Sequence, residues 1–175
     1  FGEARRGFDE ASVAVRRAMV LSPGCVSDEF QLLSVLRWQI PTDAHTVGEA
    51  AADARIAETL SMSRALCGRV PENATARMIL ASLLVGLTKD RCDRGRSSEA
   101  AGAVAEAVDQ CRGLAADRPG DLEVREMLAN ALFLKAVVGR GGRAADREDQ
   151  AEALTIARSL CDEHPADAKL RNTLA

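Results

Sequence analysis

Proline returns along this chain at a nearly constant interval. Pro23, Pro71, Pro119 and Pro165 stand 48, 48 and 46 residues apart. Nine residues after them come Leu32, Leu80, Leu128 and Leu174, and in the last three cases an alanine follows (Ala81, Ala129, Ala175). Five residues before the prolines stand Ala18, Leu66, Leu114 and Leu160, and twelve before stand Ala11, Thr59, Ala107 and Ala153. Leu36, Leu84 and Leu132 recur thirteen residues after the first three prolines. A period of this length marks a stack of helical units, each of which can cover its apolar face only with a neighbour. Small residues at a fixed place let two helices approach closely, and the leucines fill the space between them.

Composition agrees with an all-helical reading. The chain is 47% hydrophobic but only 3% aromatic, with Trp38 as its one tryptophan and no tyrosine. Strands are usually built from β-branched and aromatic residues, so alanine, leucine and valine favour helix packed on helix. A net charge of -3 gives no general attraction to phosphate backbones or anionic lipid, so neither nucleic acid nor membrane is expected as a partner. Nor is any apolar run long enough to span a bilayer. Cys25, Cys67, Cys92, Cys111 and Cys161 make an odd count without a CxxC pair, which points to reduced thiols and a cytoplasmic location. The Ala/Arg/Gly/Asp-rich composition suggests a bacterial source. The sequence runs from Phe1 to Ala175, stopping partway through a unit, and reads as a piece of a longer protein.

Taken in order, Phe8, Ala11, Val15, Ala18 and Met19 share one face of a helix expected over 2–21, which Ser22-Pro23-Gly24 stops. Ser27 is placed to cap a helix over 28–40, which Pro41 ends, and Pro41–Gly48 reads as a polar loop. Thr46 and Glu49 form a capping box opening a helix to about Cys67, with Ile56, Leu60, Ser63, Leu66 and Cys67 facing inward. A helix over 74–89 follows, carrying Met78, Leu80, Leu83, Leu84 and Leu87. The charged stretch Asp90–Ser97 reads as a solvent loop, after which Ser97 or Ser98 caps a helix to about Ala116. Asp121 caps a helix over 122–138, and Gly139–Ala144 reads as a flexible turn. A helix over 147–163 precedes Pro165, and 167–175 opens one more.

The pair LANALFLKAVVGRGGR and QAEALTIARSLCDEHPAD resembles a tetratricopeptide repeat: helix, glycine-bearing turn, second helix with spaced alanines, then proline. Leu128, Ala129 and Leu132 fall on that family's first-helix packing positions, and Ala153, Leu160 and Pro165 on those of its second helix. The resemblance implies a right-handed α-solenoid of antiparallel hairpins spanning 1–175 in about four units. The period of 46–48 exceeds the family's 34, and Glu29, Arg77 and Arg125 replace the large aromatic that often opens the first helix.

Such a repeat implies a groove lined by the first helix of each hairpin. Carried over, its residues are Phe30, Ser34, Arg37 and Trp38, then Met78, Ser82 and Val85, then Glu126, Asn130 and Phe133, with Lys169 and Asn172 beginning the next rung. Phe30, Trp38, Met78 and Phe133 form an apolar strip suited to a partner peptide or helix. Asn130 is placed to hold a peptide backbone through its amide. The family's clamp for a chaperone's terminal carboxylate needs basic residues where this chain has Met78 and Glu126.

Catalytic chemistry finds few candidates. His45 and His164 lack partners at metal-ligand spacing, and GRGGR lacks the strand, helix and lysine of a phosphate loop. Cys92 lies between Arg91 and Arg94, a setting that lowers a thiol's pKa and keeps a redox alternative open. The expectation is therefore a non-enzymatic scaffold with no cofactor that binds a protein or peptide partner. The alternative is a peptide- or ligand-sensing domain that controls an attached transcription regulator, kinase or protease.

Overall fold

In a computed structural model the chain is described over residues 2–22, 24–139 and 144–165; side chains at 38, 41–45, 144 and 145 fall outside the description. Seven α-helices occupy these residues: α1 (Gly2–Leu21), α2 (Val26–Thr46), α3 (Glu49–Arg69), α4 (Ala74–Asp93), α5 (Ala101–Asp117), α6 (Leu122–Val138) and α7 (Ala144–Glu163). A single 3-10 turn, Ser97–Ala100, precedes α5, and no strand occurs among the described residues. No described helix is long and apolar enough to cross a membrane. The expected helix over 167–175 lies outside the described residues, as does most of the Gly139–Ala144 turn.

The chain divides into two compact units, Phe1–Ile79 and Leu80–Ala175, with the division falling inside α4. In the first unit α2 packs against both α1 and α3. Its core centres on Leu33, Leu66 and Ala76, with Val26, Phe30, Met62, Cys67, Val70 and Ile79 packed partly against them. The face of α1 that carries Phe8, Ala11, Val15, Ala18 and Met19 is half-buried, and Ser12 is that helix's one buried residue. Gln39, fully buried, donates from Nε2 to Asp9 Oδ1 at 2.8 Å and so joins α2 to α1 by a polar contact.

In the second unit α6 packs against α5 and α7, and the 3-10 turn rests on α5 and α6. Val104, Val108, Cys111 and Leu114 of α5, Val124, Leu128 and Leu132 of α6, and Ala153 and Leu160 of α7 are all buried. Apart from Ala11 and Ala18 of α1, which are half-buried, the described proline-registered positions are buried in both units. Leu32, Leu80 and Leu128 are at most 6% exposed, as are the small residues Thr59, Ala107 and Ala153. Leu66, Leu114 and Leu160 are wholly enclosed.

Several element ends depart from the sequence reading. α2 begins at Val26, because Gly24 (φ 81) turns the chain so that the Cys25 carbonyl accepts from Asp28 and Glu29 N–H; Ser27 therefore lies inside the first turn instead of capping it. The helix also continues through Pro41 to Thr46. An interior proline removes one backbone bond and crowds the preceding turn, but it does not have to terminate a helix. Thr46 thus belongs to the end of α2, and the expected capping box gives way to Gly48 (φ 111) as the N-cap of α3, without a side-chain cap bond.

The Asp90–Ser97 loop is much shorter than expected, since α4 runs on to Asp93. Its charges stand at helical spacing: Lys89 pairs with Asp93 at 2.6 Å and Arg94 with Asp90 at 2.8 Å, which supports another turn of helix. Neither serine caps α5. The chain enters it through the 3-10 turn, where the Arg96 guanidinium binds Glu99 at 2.7–2.8 Å. Asp121 does cap α6, its Oδ1 accepting from Glu123 and Val124 N–H.

Candidate functional site

α6 is flanked by two helices, and that fixes which of its faces is free. Val124, Leu128, Ala131 and Leu132 recur at helical spacing and are buried. Glu126, Asn130, Phe133 and Val137 recur on another face. Phe133 is 52% exposed and Val137 42%, while Glu126 and Asn130 are half-buried. Val137, one turn beyond Phe133, was absent from the residues inferred from sequence; its apolar side chain four residues on was the available signal.

Polar contacts hold the two ends of α6 against α7. Near the start, Arg125 bonds both Glu163 oxygens at 2.6 and 2.7 Å and Ser159 Oγ at 2.9 Å, and Ser159 donates to Glu163 at 2.7 Å. The Arg125 and Ser159 hydrogen bonds hold the Glu163 carboxyl down to about 2, well below the usual carboxylate range. Near the other end Lys135 pairs at 2.7 Å with Asp149, a buried carboxylate that Arg112 of α5 also reaches at 3.4 Å. The exposed face of α6 is therefore presented from a helix tied down at both ends.

The remaining expected groove residues are scattered among different environments. Phe30 is half-buried against Leu33, Leu66 and Ala76 and so contributes to the core of the first unit. Ser34 is exposed, but its hydroxyl donates to the Phe30 carbonyl at 2.9 Å on its own helix. Arg37 is exposed; Trp38 lies in α2 with its side chain outside the description. Met78 is half-buried in the first unit, and Ser82 and Val85 are half-buried in the second. Lys169 and Asn172 lie outside the described residues. The structure thus brings Glu126, Asn130 and Phe133 together on one face.

All five cysteines are free thiols. Cys111 is buried, and burial pushes its thiol up to about 12. Cys92 is half-buried; of the arginines near it in sequence, Arg94 binds Asp90 at 2.8 Å and Arg91 lies 4.0 Å from both Asp90 and Glu99. Among the described residues no three His, Cys, Asp or Glu side chains gather in a group able to hold a metal.

One charge pattern was legible in the sequence but hidden behind the apolar one. Thirteen residues before the four prolines stand Glu10, Glu58, Glu106 and Glu152; seven before stand Arg16, Arg64, Arg112 and Arg158. Arg16 of α1 pairs with Glu58 of α3, and Arg112 of α5 pairs with Glu152 of α7 at 2.6 Å. In each case the helix before one proline is linked to the helix before the next.

Comparisons of this chain with protein-family models, with curated proteins and with solved structures find no match.

Proposed function

We propose that this chain is a non-catalytic interaction module of tetratricopeptide-like helical hairpins, and that the outward face of α6 seats the apolar side of a partner peptide or helix. The observation that carries the reading is the exposure of Phe133 and Val137 one turn apart on a helix whose other faces are packed. Large apolar side chains grouped on a free face of a packed helix are what an incoming amphipathic segment covers, reading as anchors at helical spacing. Asn130, one turn before Phe133, supplies an amide able both to donate to and accept from a peptide backbone. Glu126 at the near end favours a segment with a basic residue there.

A displayed library of amphipathic peptides, panned against the whole chain, tests this. Binders are expected to lose about tenfold or more in affinity on Phe133→Ala or Val137→Ser, the range of a modest interface hot spot, with circular dichroism unchanged. A panning that returns no binder, or binders indifferent to both substitutions, refutes the reading.

A further inference from the structure

We propose that ion pairs between neighbouring helices also select which helices pair as the chain folds, because their polarity is reversed between one repeat and another. The need for a selector follows from the repeat itself. α2 and α6 present leucines at the same proline registers, Leu32 and Leu36 in one and Leu128 and Leu132 in the other, all buried. α3 and α7 each answer with a small residue and a leucine, Thr59 and Leu66 in one and Ala153 and Leu160 in the other, again buried. Apolar packing therefore separates α2 on α3 poorly from α2 on α7, and exchange of like elements is a characteristic folding error of repeat proteins.

The charges do separate them. Six residues after its proline α2 carries Glu29 and α6 carries Arg125; two residues before the next proline α3 carries Arg69 and α7 carries Glu163. Both native pairs form, Glu29 with Arg69 in the first unit and Arg125 with Glu163, at 2.6 Å, in the second. One contact thus occurs twice at one register with its signs inverted. With α2 on α7, Glu29 would face Glu163; with α6 on α3, Arg125 would face Arg69. Glu29 is only 8% exposed, so salt screens little of that repulsion.

A second register, toward the other end of the same helices, repeats the choice. Sixteen residues after the proline stand Gln39 and Lys135, and sixteen before the next stand Arg55 and Asp149. Lys135 holds the buried Asp149 at 2.7 Å. With α6 on α3, Lys135 would approach Arg55. With α2 on α7, Asp149 would meet the amide of Gln39 in place of Lys135, an unfavourable exchange for a buried carboxylate. The rungs Arg16–Glu58 and Arg112–Glu152 keep one polarity in both units and add nothing to the selection.

Refolding of the whole chain from urea, at low and high micromolar concentration, tests the proposal. Size-exclusion chromatography measures the share of exchanged dimers and larger species over that of protein never unfolded. Arg125→Glu together with Glu163→Arg keeps a salt bridge between α6 and α7 but gives both repeats the same polarity. The misassembled share is expected to rise about tenfold or more, the scale of a lost like-charge penalty, and to grow with concentration. Adding Glu29→Arg and Arg69→Glu inverts the first pair as well, restores opposite polarity, and should return refolding to the wild-type level. A double variant that refolds as cleanly as the wild type overturns the proposal, as does extensive misassembly of the wild type. So does a fourfold variant that misassembles as much as the double one, since altered bridge geometry, not polarity, would then be the cause.

Discussion

Leu132 and Phe133 are neighbours in sequence on opposite sides of an environmental divide, and replacing each by alanine measures that divide directly. Leu132 is fully buried on the side of α6 packed between α5 and α7. Truncating a leucine there removes its transfer energy and leaves a cavity that two flanking helices cannot close, a loss of about 3–5 kcal/mol. Phe133 keeps half its surface in water. Its covered half is roughly 100 Å² of a large aromatic, worth at most about 2.5 kcal/mol at ~25 cal/mol per Å². The unfolded chain already covers some of that area and alanine keeps some, leaving about 1 kcal/mol. Urea denaturation followed by far-ultraviolet circular dichroism, at a common slope, should show a large shift for Leu132→Ala and a small one for Phe133→Ala. Equal losses would mean that Phe133 is a core residue, and the binding face argued for α6 would disappear with that result.

Two further outcomes follow from ionisable groups. Glu163 has its folded pKa depressed to about 2 by Arg125 and Ser159, so its bridge stabilises the protein fully above its ordinary value of 4.5 and is lost as pH falls toward 2. Thermal melts across that window should fall less steeply with acid for Glu163→Gln than for the native chain. Cys111, buried and with its thiol raised to about 12, should resist iodoacetamide at pH ~8 in the native protein, where an ordinary thiol is partly ionised, and react once urea unfolds it; mass mapping of the labelled cysteines checks this.

What could be read from sequence depended on how local the signal was. The bounds of α1 and of α6 agree with the expected 2–21 and 122–138, because proline, glycine and a capping aspartate act within a few residues. The leucine and small-residue registers also predicted burial correctly from Leu32 to Leu160. The ends of α2 and α4 depart from their local sequence signals for opposite reasons. Pro41 looks like a stop signal but sits within a helix, and the charges of 89–94 look like loop but lie four apart along one. Within the expected groove, Phe30 and Phe133 are the same residue type, yet Phe30 packs into a core while Phe133 stays half in water. That difference comes from residues such as Leu66 and Ala76, distant in sequence, and periodicity carries no record of them. The glutamate and arginine rungs are written in the sequence too, but charged residues at helical spacing are also what any solvated helix face carries, so spacing alone does not mark them as pairs.

Thr59, Ala107 and Ala153 stand at one register, and Thr59 spends the hydroxyl that sets it apart on the Arg55 carbonyl of its own helix, at 2.7 Å. The three sites thus hold a similarly small side chain in similarly enclosed space. Exchanging threonine and alanine among the three sites should therefore be tolerated at each of them. Leucine or anything bulkier at these enclosed sites would push the neighbouring helix outward, so three small side chains set how closely the helices can lie.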